Sequence, residues 1–151
     1  MKKKLILVVL FFLGGVVFST SSYSFFRKTI QNLYQWSTNE AIQFYGKDFY
    51  FFEHPGYYIS FGFVFSLFIW TNVNKSLLSI LKQGALMLFL FSIAIILISS
   101  LNANLKVIEC TACDGGIRKL GYGEINYNLI LISSLVISII PSNLSLIKNI
   151  K

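Results

Sequence analysis

A chain of 151 residues in which 55% are hydrophobic, 17% aromatic and only 13% charged is too apolar for an ordinary soluble domain. Its formal charge of +7 is scattered at the ends of apolar runs and forms no basic face, which argues against nucleic acid as a partner. The expectation is an all-α polytopic membrane protein: a four-transmembrane-helix bundle with short extracytoplasmic amphipathic helices, residues 1–151 forming a single membrane domain.

The first apolar run, Leu5 to Phe18, follows Lys2, Lys3 and Lys4 and leads into the small polar tract Ser19-Thr20-Ser21-Ser22. A cleaved signal peptide and a retained signal anchor share this pattern. We expect an anchor, spanning about residues 5–21; both versions send the next segment out of the cytoplasm.

In that outer segment, residues 22–56, Phe26, Ile30, Leu33 and Tyr34 follow the i, i+4, i+7, i+8 spacing of one helical face. Arg27, Lys28, Gln31 and Gln35 fall opposite them. Residues 23–46 therefore read as two short amphipathic helices. The second, Ala41 to Tyr45, is preceded by the capping-box spacing Ser37-Thr38-Asn39-Glu40 and stopped by Gly46. Phe49, Tyr50, Phe51 and Phe52 then form an aromatic anchor, and Glu53 and His54 a polar interface site.

Pro55 and Gly56 suit the entry to a second span, about 57–73, which opens on Tyr57 and Tyr58 as headgroup-level aromatics. A hydrocarbon core of about 30 Å needs roughly 20 helical residues, a length that the third span, about 77–101, exceeds and the fourth, about 129–147, nearly reaches. Pro141 is expected to kink the fourth. Ser66, Ser92, Ser99, Ser133, Ser134 and Ser138 suit close helix packing. No carboxylate, histidine or arginine lies within the spans, and Lys82 is near enough to the inner end of the third to snorkel, which argues against a proton- or ion-coupled transporter.

Short flanks that this topology leaves inside carry Lys2, Lys3, Lys4, Lys75, Lys82, Lys148 and Lys151. Arg27, Lys28, Lys47, Lys106, Arg118 and Lys119 are spread over the two long outer segments, 22–56 and 102–128, together with all six carboxylates. The bias favours cytoplasmic termini and an integral protein of the bacterial inner (plasma) membrane.

The two cysteines of the chain form Cys110-Thr111-Ala112-Cys113, in a loop rich in glycine at 115, 116, 121 and 123. Outside the cytoplasm such a pair is expected to be oxidised, as a staple for a tight turn. The same spacing also serves thiol exchange, where one thiol attacks and the other resolves. An extracytoplasmic Cys110-X-X-Cys113 on a four-helix membrane bundle resembles the membrane thiol oxidases that pass electrons to quinone, and the vitamin K epoxide reductase family. Those families relay electrons through a second cysteine pair, which this chain lacks.

No metal site is expected, because His54, Glu53, Glu109 and Asp114 reach the cysteines from separate loops, and a lone histidine cannot hold haem by two. Arg118 and Lys119, beside the glycines, are candidates for contact with an anion or lipid headgroup, or simply a solvated pair. The functional expectation is an accessory or interaction subunit of a membrane complex, partnered by the bilayer and other membrane subunits, with a disulfide-stapled outer loop and no cofactor. The alternatives are a thiol-disulfide oxidoreductase, for which alone a quinone is relevant, and a lipid or small-molecule binding membrane protein using the outer loop.

Overall fold

The computed structural model describes residues 2–38, 42–46, 55–109, 113–114 and 117–148, and most of these are helical. There are four helices among them: α1 (Lys2–Thr38), α2 (Pro55–Asn72), α3 (Leu77–Glu109) and α4 (Tyr127–Lys148). At about 1.5 Å per residue, the 37 residues of α1 extend roughly 55 Å and the 33 of α3 roughly 50 Å. These two are long and apolar enough to cross a membrane; the described apolar part of α4, Tyr127–Pro141, is shorter.

α1 packs against α2 and α3, and α4 closes the bundle against the same two. Close approach of α1 and α2 depends on Gly15 and Gly62: a Cβ at Gly15 would stand 2.7 Å from the Phe61 carbonyl oxygen. Ser66 Oγ donates across that seam to the Val8 carbonyl at 3.2 Å, and Lys4 lies 4.4 Å over the Trp70 ring near its end. In the interior, Phe26, Phe61 and Phe91 meet at 5.5–6.0 Å, with edge contacts onto Phe91 that suit the ring quadrupole. On the outside every helix exposes large apolar side chains, among them Leu13, Phe63, Leu81 and Val136. An outer surface this apolar is compatible with a membrane.

Two expectations are corrected. The first amphipathic helix is no separate element but the continuation of α1, because residues 19–38 contain no proline or glycine to break it. The second does not form: Gln43–Tyr45 is a strand, β1. Together with β2 (Cys113–Asp114) and β3 (Ile117–Gly121), it makes a small sheet ordered β1-β3-β2. β1 runs parallel to β3, Gln43 opposite Lys119 and Tyr45 opposite Gly121; β2 is antiparallel to β3. Gly46 ends β1 at φ 94°, a conformation glycine adopts without the strain of a Cβ. Tyr57 and Tyr58, expected as headgroup-level aromatics, lie in the first turn of α2 and turn inward. Both are buried, with ring centroids 5.4 and 6.1 Å from Tyr23 on the overlong α1.

α3 likewise outruns its expected end by a further two turns, to Glu109. α4 continues through Pro141. Of the packing serines, Ser99, Ser134 and Ser138 are buried, whereas Ser92 is exposed and donates to Leu88 of its own helix. Phe49 to Phe52 lie outside the described residues.

Candidate functional site at the sheet end of the bundle

Beyond Ser22, α1 carries Tyr23, Arg27 and Gln31 at successive i, i+4 positions, so that the three stand on one stripe of the helix. All three are buried, Arg27 to 1% exposure. Arg27 Nη1 donates to the Tyr23 hydroxyl at 3.2 Å, and the guanidinium lies 4.2 Å over the ring of Tyr127. Burying a cation is costly unless it is compensated; here an aromatic face and a phenolic oxygen contribute to that compensation.

Tyr127 is the hub. Its hydroxyl accepts from Gln31 Nε2 at 3.0 Å and donates to the Tyr122 carbonyl at 2.9 Å. Gln35 Nε2, one turn further along α1, donates to the Tyr122 hydroxyl at 2.8 Å. The first residue of α4 thereby ties α1 to the short 3-10 turn Tyr122–Glu124 that follows the sheet. Ser37 Oγ donates to Ser100 Oγ at 3.0 Å and joins the end of α1 to α3.

The sheet is fastened to this cluster from both sides. Phe44 of β1 stacks on Tyr122 at 5.6 Å, and Leu120 of β3 is buried at 3% exposure. Glu124 Oε1 accepts from the Gly121 amide at 3.1 Å and from the Tyr45 hydroxyl at 3.3 Å, closing the 3-10 turn against β1. Arg118 Nη1 donates at 3.1 Å to the Val107 carbonyl. Val107 lies in the last turn of α3, where carbonyls lack intrahelical partners and the helix dipole favours a cation, so Arg118 caps that helix.

Of the residues singled out in the sequence, Cys113 and Arg118 come together as opposite members of the β2–β3 ladder. Lys119 is the next residue along and is exposed; it borders a shallow recess with Gln43, Phe44 and Tyr45. Cys110, Glu53 and His54 lie outside the described residues. Sequence reasoning does not find Arg27, Gln31 and Tyr127: it sets Arg27 and Gln31 opposite the apolar face of the segment and gives Tyr127 no role. The available signal was the stripe Ser19, Tyr23, Arg27 and Gln31, four polar side chains at one-turn spacing beside the apolar stripe of Phe26, Ile30 and Leu33.

These contacts join α1, α3, α4 and the sheet at one end of the bundle. No protein-family model matches this chain, and no curated protein or solved structure proved similar to it.

Proposed function

We infer that the protein is a four-span membrane protein with cytoplasmic termini whose sheet end, on the outer side, docks against another subunit of a membrane assembly. One observation carries this reading. α3 exposes apolar side chains from Leu77 to Leu105, a stripe that includes Leu81, Leu97 and Leu101. Over 28 residue steps this stripe measures roughly 42 Å against a hydrocarbon core of about 30 Å. The usual tilt of about 20° shortens it by only a few ångströms. With the span placed at 77–101, Leu105 is left beyond the lipid, with Trp36 of α1 also exposed at 75%. Apolar residues exposed there are best covered by protein. The outward apolar residues on all four helices support four spans, and the lysines flanking them support the orientation.

Leu105→Glu is expected to leave the purified chain folded, with an unchanged melting transition, while removing a stoichiometric partner that co-purifies with the wild type in mild detergent. A wild-type chain that runs alone in mild detergent and in native-membrane nanodiscs would sink the docking role.

A second reading, thiol-disulfide exchange through Cys110 and Cys113, is favoured by the ladder pairing of Cys113 with Arg118. The Cys-X-X-Cys spacing is the one thiol exchange uses, one thiol attacking and the other resolving. The reduction potential of the pair, measured by alkylation in graded redox buffers, separates the two readings. A structural staple is expected below about −300 mV and an exchanger between about −120 and −270 mV.

A further inference from the structure

Between the helices lies a cavity of about 200 Å³ walled by apolar side chains alone. α1 contributes Phe18 and Phe26, α2 Phe61 and Phe65, and α3 Met87 and Leu88, with Leu135 of α4 closing the far wall. Water needs polar partners to occupy such a space, and none line it. Apolar cavities of about 150 Å³ stay dry and take up a molecule the size of benzene, so this one has room for hydrocarbon.

The wall also indicates which hydrocarbon. Phe18 is 42% and Leu88 61% exposed, so two of the lining residues belong at the same time to the outer apolar surface of α1 and α3. The cavity is thus continuous with whatever solvates that surface. In a bilayer, this is lipid chain at very high concentration. Gly84 leaves further space at the wall: a Cβ there meets nothing nearer than the Phe68 ring at 3.7 Å.

We propose that the cavity is a lateral binding site for one acyl chain of a bilayer lipid, which enters past Phe18 and Leu88. It rests on the membrane placement inferred above and is independent of the docking role. The chain fills space that the phenylalanines, large and stiff as they are, do not close by themselves. Aromatic walls packed edge to face keep the space open.

The test uses the full chain in phosphatidylcholine vesicles containing a trace of phospholipid with a diazirine on one acyl chain, irradiated and mapped by mass spectrometry. Adducts are expected on Phe65 and Met87 as well as on the outward Leu97 and Leu101. Gly84→Leu, whose side chain projects into the cavity, is expected to abolish the Phe65 adduct and leave those on Leu97 and Leu101. Where Gly84→Leu shows no melting transition, Leu135→Phe fills the space from the opposite wall and is read in the same way. Adducts confined to Leu97 and Leu101 in the wild type, or a Phe65 adduct that neither variant reduces, would overturn the site. Displacement of the Phe65 adduct by a polyprenol but not by excess saturated phospholipid would overturn the acyl assignment. Labelling nowhere in the chain would overturn the membrane placement itself.

Discussion

Gly15→Leu is expected to separate α1 from α2, whereas Gly14→Leu, one position earlier on the same helix, leaves the bundle intact. The two glycines have the same intrinsic helix propensity, so any difference between the variants reports packing. A Cβ on Gly15 would stand 2.7 Å from the Phe61 carbonyl oxygen and 3.0 Å from the Gly62 Cα; on Gly14 it meets nothing within 4 Å. Backbone cannot swing aside as a side chain can, and the extra atoms must push two helices apart. Overpacking of this kind costs about 1–3 kcal/mol for inserted methylenes, and a whole isobutyl group against backbone belongs at or above the top of that range. Denaturant titration in a mild detergent should show a large fall in midpoint for Gly15→Leu and little change for Gly14→Leu. Gly62→Ala falls between the two, because its obstacle is the ring edge of Phe12 at 2.8 Å, which can rotate away. Equal effects at positions 14 and 15 would mean that the α1–α2 seam is not where Gly15 puts it.

Tyr127→Ala is expected to be the most damaging substitution at the sheet end. The ring is buried at 4% exposure, covers the Arg27 guanidinium and makes hydrogen bonds to Gln31 and Tyr122, so the alanine leaves a void and removes those contacts. Loss of a buried aromatic costs about 3–5 kcal/mol before the polar consequences are counted. Tyr127→Phe separates the contributions. It keeps the packing and the face presented to Arg27 but removes the hydrogen bonds to Gln31 Nε2 and the Tyr122 carbonyl, for about 1–3 kcal/mol. The order wild type, Tyr127→Phe, Tyr127→Ala in melting temperature, with hydrogen exchange of Ile117–Glu124 rising in step, is the expected outcome. Fast exchange in that segment already in the wild type would count against a rigid sheet end.

How far this protein is legible in its sequence varies along the chain for physical reasons. The helices at 57–72, 77–101 and 129–147 are visible because apolar runs of that length exceed what a strand uses and leave a helix as the way to satisfy their backbone. The amphipathic stretch of Phe26 to Tyr34 was correctly read as helical and wrongly read as separate. Periodicity reports a face, not a boundary, and Ser19-Thr20-Ser21-Ser22 looked like a break. In the helix Ser19, Thr20, Ser21 and Ser22 turn their hydroxyls back to the carbonyls of Val16, Val17 and Phe18, so the polar tract costs the helix little.

The strands were invisible for a different reason. Gln43–Tyr45 is three residues long, too short for any alternation to register, and it exists because β3 supplies a ladder from 76 positions away, Lys119 against Gln43. Arg27 shows the same limit. Amino-acid type alone makes it a surface residue, and Tyr127, brought against it by the packing of α4, helps together with the Tyr23 hydroxyl to make burial tolerable.

What the sequence by itself determined is the helical class: composition and run length are sums over residues, and they need no knowledge of which residues meet. The tertiary structure alone decided which polar groups are inside, where α1 and α3 end, and that a sheet forms between residues 43 and 121. Each of those outcomes depends on a partner distant in the chain, and no local pattern carries the identity of that partner.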